Sequence, residues 1–248
     1  MFSAEQLRRL LPPALSTIEL HTYAAITSTN KVAAAKLTTT PERLWLLADH
    51  QTAGVGRRGK QFFSPAHTGL YMTYGGFTTT AATLPLVTPA AGVALQQAAQ
   101  SVLGVTTSIK WVNDVLYHEK KVAGILAERL ANGQVLVGVG INIAPSATAP
   151  DVPIDLPVGS LLATAPASDV RPALAAAWLI NFERLLQAPE TIMPQYRQHA
   201  AWLARTVVVS GLHSPVVGTI TGFADDGALL LATDSGLQTF TSGSIRLQ

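Results

Sequence analysis

Apolar and polar positions are arranged along the first 200 residues in a way that predicts a series of short strands. The unbroken apolar run at 44–48 predicts a buried strand over 44–49, and the alternating positions at 70–77 predict a second one. Three more strands follow in close succession at 106–111, 122–129 and 134–143. Asn132-Gly133 joins the last two, and this pair is a strong hairpin signal because both residues tolerate positive φ.

Helical spacing of apolar residues predicts four helices, at 5–15, 31–37, 89–103 and 169–186. Pro12-Pro13 ends the first helix. Ser28-Thr29-Asn30 opens the second, because Ser and Thr oxygens accept the free amide protons of a first turn. Gly104 stands where the C-terminal cap of the third is expected. Residues 144–159 are rich in Pro, Ala and Ser and are predicted to form a loop.

The pattern changes after about residue 202. From 206 to the C-terminus the sequence predicts four or five short strands and no helix, with glycines between them and a hairpin turn at Asp225-Asp226-Gly227. Such a segment is large enough for a small β-barrel. We therefore expect a boundary between 198 and 205, dividing the chain into a domain at 1–202 and a second at 203–248. The predicted class is α+β.

Composition narrows the functional classes. The 248 residues are 48% hydrophobic and 13% charged, which is typical of a well-packed globular protein, and the net charge is only +2. General affinity for nucleic acid needs many phosphate contacts, which this balance does not favour. The absence of cysteine excludes disulfides, thiolate zinc sites and a cysteine nucleophile. No apolar run reaches the roughly 20 residues of a membrane span, so a soluble cytoplasmic protein is expected.

Residues 54–60 form a loop in which three glycines alternate with three of the chain's 17 lysine and arginine residues. The loop directly follows the first predicted strand. Glycine allows the backbone to approach a ligand closely, and arginine offers a rigid fork of donors that suits carboxylate and phosphate oxygens. A cationic loop at a strand end is therefore a candidate site for a small anionic ligand, although a solvated surface loop has the same composition.

Three further segments place polar residues beside apolar strands. They are residues 110–114, 120–125 and 138–142, which carry Lys110, Lys121 and Asn142. Because burial of an unpaired polar group is costly, each of these side chains is expected at a strand end or facing a ligand. Edge lysines that discourage aggregation would show the same pattern. The six histidines have no metal-ligand spacing, and no metal site is predicted from the sequence.

Taken together, these segments resemble the biotin–protein ligases. The matching stretches have that family's order and spacing, and they are Ser28-Thr29-Asn30 and residues 51–60, 110–114, 121–126 and 138–142. The resemblance extends over nearly the whole chain. It implies an α+β fold with a mixed sheet flanked by helices, like class II synthetases and lipoate ligases, followed by a small SH3-like barrel.

The resemblance also implies a two-step reaction that uses biotin, ATP and Mg²⁺. Biotin's carboxylate would attack the α-phosphate to give biotinyl-5′-AMP and pyrophosphate, and a lysine of a biotin carboxyl carrier domain would then take the biotin. The carrier would belong to a carboxylase such as acetyl-CoA or pyruvate carboxylase. Fixed cations must offset the repulsion between the two anions, and a closing loop must exclude water from the adenylate. The sequence leaves open whether the chain forms a homodimer.

Carried over by position, the family pattern implies the following site residues. The biotin site would comprise Ser28, Thr29, Asn30, Gln51, Gly54, Arg57, Arg58, Gly59, Lys121 and Gly124. The ATP site would comprise Gly56, Arg57, Arg58, Phe62, Lys110, Asn113, Lys121 and Asn142. Catalysis would depend on Arg57, Lys110 and Lys121. Within these sets the resemblance gives Ser28, Thr29 and Gln51 to the ureido ring and Phe62 to the adenine.

Two positions depart from the family pattern. Val55 stands where the family usually has a third arginine, and Val112 where it usually has proline. The first change weakens the cationic loop, and the second is expected to alter the stiffness of the 111–113 turn. Asp114 is a candidate for contact with Mg²⁺ or a plain turn residue. Because Ser28 comes so early, no DNA-binding domain and no nucleic-acid partner are expected.

Two other functions remain compatible with the sequence. Lipoate or octanoate transferases share the scaffold but lack the Gly-x-Gly-Arg-Arg-Gly loop as it is written here. A non-enzymatic nucleic-acid-binding module would use Arg57, Arg58 and Lys60 on phosphates. A comparison of the equilibrium binding of biotin and of lipoate distinguishes a biotin ligase from the first alternative. Nucleic-acid affinity that falls steeply with salt, without pyrophosphate release, would indicate the second.

Overall fold

The computed structural model describes residues 2–39, 42–147, 156–211 and 214–248. Its first part contains five helices, α1 (Ala4–Leu10), α2 (Thr29–Leu37), α3 (Val87–Leu103), α4 (Arg171–Gln187) and α5 (Ile192–Gln198). Its strands there are β1 (Glu19–Tyr23), β2 (Leu44–Ala48), β3 (Gly69–Phe77), β4 (Ser108–Lys110), β5 (Asp114–Tyr117), β6 (Lys120–Arg129) and β7 (Val135–Asn142). Within the described residues these strands form one sheet in the order β1-β2-β3-β7-β6-β5-β4.

The sheet is mixed, since β1 and β2 are parallel and the other neighbours are antiparallel. Helices cover both of its faces, which explains the unbroken apolar run of β2. Leu44 and Leu46 pack towards α2, while Trp45 and Leu47 belong to the larger core that contains α3 and α4. A strand that is buried on both faces has no position for a polar side chain, so alternation is absent.

The C-terminal part is a five-stranded antiparallel sheet of the SH3-like type. It contains β8 (Thr206–Ser210), β9 (Val216–Phe223), β10 (Leu229–Thr233), β11 (Gly236–Phe240) and β12 (Ser244–Leu247), in the order β11-β10-β9-β8-β12. Gly227 adopts φ +83° in the predicted hairpin turn, a conformation that glycine accepts without strain. Trp111 Nε1 donates to Gly227 O over 3.0 Å and so ties this barrel to the end of β4.

The α+β class and the C-terminal strands are confirmed, and several boundaries are corrected. The predicted helix at 5–15 ends at Leu10, and Pro13–Leu15 forms a separate 3₁₀ turn. Strands β1 and β5 and helix α5 are absent from the sequence prediction. Residues 148–155 of the predicted loop lie outside the described residues, and the boundary at 202/203 stays a prediction. Among the described helices none is both long and apolar enough to cross a membrane.

Candidate active site

One row of paired residues runs across the sheet and brings the separate sequence motifs together. The strand register pairs Lys110 with Asp114, Asp114 with Gly124, Gly124 with Gly140 and Gly140 with Tyr71. Directly paired residues of antiparallel strands point to the same face of a sheet. The motifs at 110–114, 121–126 and 138–142 therefore converge because each contributes a residue to this row.

The glycines in this row have no side chain and so leave space on this face of the sheet. A Cβ at Gly140 would lie 2.5 Å from Phe62 Cζ, and one at Gly124 would lie 3.0 Å from Phe62 Cε2. The Phe62 ring thus lies directly on the two glycines, where any larger side chain would displace it. Two residues before Gly140 on the same face, Gly138 makes room for the amide of Asn30, whose Cγ would lie 2.7 Å from an added Cβ.

Asn30 is held in place by the protein itself. Its Oδ1 accepts a hydrogen bond from Thr73 Oγ1 (2.6 Å), and its Nδ2 donates to Leu126 O (3.3 Å) and Glu128 Oε2 (2.7 Å). The side chain is buried. Its donors and acceptor are committed to two strands, β3 and β6, so this geometry indicates that Asn30 fixes α2 on the sheet at the cavity wall.

We expect Gly138→Ala to destabilise the fold, because the new methyl group would collide with the fully bonded Asn30 amide. Overpacking of this kind costs about 1–3 kcal/mol. Urea denaturation would measure the change in the free energy of unfolding. Gly222→Ala on β9 is the matched control, since its added Cβ would have no neighbour nearer than 3.8 Å. Equal stability of the two variants would contradict the close approach at Gly138.

A β-bulge places Lys121 on the same face as this row. The pairing shifts between Val115 and Leu116, so that β6 carries one extra residue before Gly124. Without that residue, alternation would turn Lys121 to the opposite face, and bulges commonly re-aim a side chain beside an active site. Lys121 Nζ consequently lies 2.5 Å from Asp114 Oδ1 and beside Gly124.

Asp114 is shared by two lysines. Its Oδ2 accepts from Lys110 Nζ over 3.1 Å, and its Oδ1 faces Lys121. Burial alone would raise the pKa of Asp114, but the charges and hydrogen bonds of Lys121 and Lys110 hold that pKa below its usual value. The carboxylate therefore stays ionised and fixes both ammonium groups. Lys121 is the more accessible of the two, with 28% of its side chain exposed against 7% for Lys110.

The glycine–arginine loop is an ordered hairpin, and we call residues 54–62 the flap. Phe62 N donates to Gly54 O (2.9 Å) and Gly56 N donates to Lys60 O (2.7 Å). At its tip Arg58 has φ 56° and Gly59 has φ 73°, in the left-handed region that favours glycine. Because the Gly56 amide is engaged within the flap, it does not have the free donor expected of a phosphate cradle in this conformation.

The two arginines of the flap contact the barrel. Arg57 Nη1 donates to Gly243 O (3.2 Å) and to Asn113 Oδ1 (3.0 Å). The Arg58 guanidinium lies against Gly211, where there is no space for a side chain. Burial, followed by the neighbouring Arg58 charge, lowers the pKa of Arg57, but an arginine remains protonated under physiological conditions. The flap cations are thus held at the mouth of the cavity.

The residues implied for the ureido ring form a polar cluster at the start of α2. Ser28 caps the helix, and Thr29 donates from both its backbone N (2.8 Å) and its Oγ1 (3.1 Å) to Gln51 Oε1. Gln51 Nε2 in turn donates to Ser64 Oγ over 2.9 Å. These side chains are fixed before any ligand binds, so the entropic cost of ordering them on binding is small.

Residues 156–163, here named the strap, close the other side of the cavity. Lys121 N donates to Pro157 O (2.8 Å), and Gly159 N donates to Lys121 O (2.9 Å). Asn142 Nδ2 donates to Gly159 O over 3.1 Å. The implied nucleotide residue Asn142 therefore also anchors the strap.

These elements enclose a cavity of about 1460 Å³. Among the described residues, seven of the chain's 17 lysines and arginines line it, against one of its 15 acidic residues. The seven cations are Arg57, Arg58, Lys60, Lys110, Lys120, Lys121 and Arg246. A chain whose net charge is only +2 thus concentrates positive charge in one concave site, which attracts an anionic ligand.

Most of the residues implied by the resemblance line this cavity. They are Ser28, Thr29, Asn30, Gln51, Gly56, Arg57, Arg58, Phe62, Lys110, Asn113, Lys121, Gly124 and Asn142. Gly54 and Gly59 do not line it, because they form the base and the tip of the flap. The strap also lines the cavity, as do the barrel residues Ser210, Ser244 and Arg246, and none of these was predicted from the sequence as part of the site. No motif marks these barrel positions, since only the packing of the two parts brings them to the cavity.

The donor set of the cavity does not fit a metal ion held by the protein alone. Asp114 is the one carboxylate among the described lining residues, and both of its oxygens face lysines. The described residues contain no cluster of three potential metal-binding side chains. Mg²⁺ is commonly held largely by substrate phosphates and water.

Comparisons with known proteins agree with this geometry. Residues 23–143 match the model of the biotin/lipoate A/B protein ligase family, and residues 205–247 match the biotin protein ligase C-terminal domain. A biotin–[acetyl-CoA-carboxylase] ligase of Paracoccus denitrificans is 31% identical over 81% of this chain and 89% of its own length. A bifunctional ligase/repressor BirA of Bacillus subtilis is 29% identical over 84% of this chain and 67% of its own length.

Solved structures show the same fold. The biotin protein ligase of Aquifex aeolicus in complex with biotin and ATP superimposes with a TM-score of 0.75 at 24% identity, covering 93% of this chain and 98% of that one. The chain therefore belongs to the biotin/lipoate protein ligase family and, by its relatives and its C-terminal domain, to the biotin protein ligases. The family resemblance and the enzyme class predicted from the sequence are confirmed.

Proposed function

We propose that the cavity binds biotin and ATP together and joins them as biotinyl-5′-AMP. The observation that carries this proposal is the excess of seven cations over one carboxylate in the cavity lining. A carboxylate and a triphosphate repel each other, and fixed positive charges offset both that repulsion and the charge that grows in the transition state. A neutral or acidic cavity of the same shape would give no such stabilisation.

The positions of the polar groups suggest an order of subsites along the sheet. Biotin's ureido ring would bind the cluster of Ser28, Thr29 and Gln51, since these are the polar groups at the start of α2. Its carboxylate would then reach towards Lys121, which the β-bulge presents beside Gly124. Phe62 and Asn142 would lie on either side of the adenosine site. From the flap, Arg57 and Arg58 would contact the phosphates.

The first step would form the bond between a biotin carboxylate oxygen and the α-phosphorus and break the bond from that phosphorus to the bridging oxygen of pyrophosphate. Lys121 would bind the attacking carboxylate and an α-phosphate oxygen, and thereby bring the two reactants into line. Lys110 would act indirectly, by holding Asp114, and Asp114 in turn fixes Lys121. The flap arginines would balance the charge of the departing pyrophosphate.

The second step would transfer biotin to a lysine of a carboxylase's biotin carboxyl carrier domain. The lysine amine would attack the carbonyl carbon of the mixed anhydride, AMP would leave, and the amine would lose a proton. Closure of the flap over the adenylate would exclude water until the carrier binds. The names of the relatives support a carboxylase as the acceptor.

A comparison of acids tests the proposal. Each reaction would contain ATP, Mg²⁺, a carrier domain and one labelled acid, which is biotin, lipoate or octanoate in turn. Pyrophosphate release and transfer of the labelled acid to the carrier domain would be measured. We expect release and transfer with biotin alone. Transfer of lipoate or octanoate in preference to biotin would establish the related transferase activity instead. Salt-sensitive nucleic-acid binding without pyrophosphate release would indicate a binding module.

A further inference from the structure

The buried lysine of the cavity, Lys110, lies against an aromatic ring outside the cavity lining. Its ammonium group is 5.4 Å from the centre of the Trp202 ring on one side and 3.1 Å from Asp114 Oδ2 on the other. Both Lys110 and Trp202 are buried, with 5% and 7% of their surfaces exposed. An ammonium group over an indole face is stabilised by the ring quadrupole, and more strongly when water is excluded.

The indole is itself fixed by the turn that joins β5 and β6. Trp202 Nε1 donates to Glu119 Oε2 over 2.9 Å. Glu119 stands between the strand that carries Asp114 and the strand that carries Lys121. One side chain therefore contacts Lys110 with its face and, through its N–H group, holds the hairpin that presents the other two charged residues.

The backbone just before Trp202 is attached to β4. Ile109 N donates to His199 O (2.7 Å), and Ala201 N donates to Ile109 O (2.8 Å), so that Ala200 pairs with Ile109 in the manner of a parallel strand. These bonds lie next to Lys110 in the chain. The position of the indole relative to Lys110 is consequently set by two consecutive hydrogen bonds and not by side-chain packing alone.

We propose that Trp202 is a positioning residue for the adenylation reaction, an inference that rests on the function proposed above for Lys121. Its ring holds the Lys110 ammonium against Asp114, so that the carboxylate is shared between two lysines. If Lys110 is free to move, Asp114 pairs with Lys121 alone and draws it away from the carboxylate and α-phosphate. Trp202 thus acts on the reaction through Lys110 and Asp114 without touching substrate.

The proposal predicts that the ring face matters more than the bulk of the side chain. Trp202→Leu should lower kcat for biotin-dependent ATP–pyrophosphate exchange by about tenfold, in line with a buried cation–π contact. KM for biotin should change little, because Ser28, Thr29 and Gln51 do not contact Trp202. Trp202→Phe loses the bond to Glu119 just as Trp202→Leu does but keeps an aromatic face, so it should retain clearly more of the wild-type kcat than Trp202→Leu. Leu203→Ala, at the exposed next position, is the control for substitution in this segment.

A second readout does not depend on catalysis. Acetic anhydride labels accessible amines, and peptide mass spectrometry reports the labelling rate of Lys110. That rate should rise several-fold in Trp202→Leu and stay near the wild-type value in Trp202→Phe. Wild-type kcat and labelling in Trp202→Leu would overturn the proposal, as would equal losses of kcat in the Leu and Phe variants. If the wild type itself forms no adenylate, the proposed function fails, while the labelling rates still decide whether Trp202 holds Lys110.

Fluorinated tryptophan keeps the comparison decisive if Trp202→Leu does not fold. Fluorination weakens the ring quadrupole while changing the shape of the indole very little. Because the chain has four tryptophans, the same incorporation into Trp202→Phe shows the effect of the other three. We expect fluorination to lower kcat several-fold in the wild-type background and to have little effect in Trp202→Phe. The same reduction in both backgrounds would contradict a role for the Trp202 ring.

Discussion

Lys121→Ala is expected to lower the rate of biotin-dependent ATP–pyrophosphate exchange by about 10²–10³-fold, the usual cost of removing one preorganised charge or donor from the transition state. Lys121 is the cation that the β-bulge turns towards the glycine row, and Asp114 keeps it there. No other described cation has this position on the sheet. The exchange rate would be measured at saturating ATP and biotin, so that weaker binding does not mask the chemical step.

Arg129→Ala provides the matched control for Lys121. It removes one positive charge from the other end of the same strand, at a position that does not line the cavity. We expect exchange within about twofold of the wild type, because a distant exposed charge is screened by salt. Similar losses in the two variants would mean that the general charge of the protein, and not the position of Lys121, determines the rate.

Asp114→Asn is expected to cause the largest loss of stability. The substitution leaves Lys110 buried without its anion, and removal of one partner from a buried ion pair costs about 3–5 kcal/mol. Urea denaturation at pH 7 would measure the free energy of unfolding. Asp225→Asn is the control, because that carboxylate pairs with Arg197 at the surface and is almost fully exposed. Addition of Lys110→Met to Asp114→Asn should restore part of the lost stability.

The ion pairs of Asp114 with Lys110 and Lys121 predict that stability depends on pH. Because the folded protein lowers the pKa of Asp114, its ionisation contributes stability above the unfolded pKa of about 3.9, and this contribution is lost as the pH falls through the lower folded value. The difference in the free energy of unfolding between wild type and Asp114→Asn should therefore be largest near neutral pH and narrow below about pH 4. A difference that stays constant down to acidic pH would contradict the ion pairs.

Much of the site could be predicted from the sequence because its motifs are short and local. The glycines and polar residues of these motifs stand at fixed spacings in residues 54–60 and around Lys110, Lys121 and Asn142. The strand register then explains why the spacings around Lys110, Lys121 and Asn142 matter, since these three segments all supply members of a single row across the sheet. The glycines of the last segment make room for Asn30 and Phe62.

Other features depend on tertiary contacts that no local pattern records. Strand β1 shows only one buried residue, Leu20, and β5 is four residues long, so neither has a clear period. The bulge before Gly124 is visible only in the pairing of β5 with β6. Likewise, Arg246 lines the cavity because the barrel packs against the end of β4. Trp202 reaches Lys110 because the backbone just before it bonds to Ile109. Their own surroundings in the sequence give no sign of this.

The most direct test of the cationic cavity is detection of the acyl-adenylate itself. Purified protein would be mixed with biotin, Mg²⁺ and ATP labelled at the α-phosphate, without any carrier domain, and quenched within one turnover. The cavity described here predicts about one equivalent of labelled biotinyl-5′-AMP per chain, dependent on biotin and lost in Lys121→Ala. Folded protein that binds both substrates yet forms no adenylate, or forms it equally well without Lys121, would contradict the account.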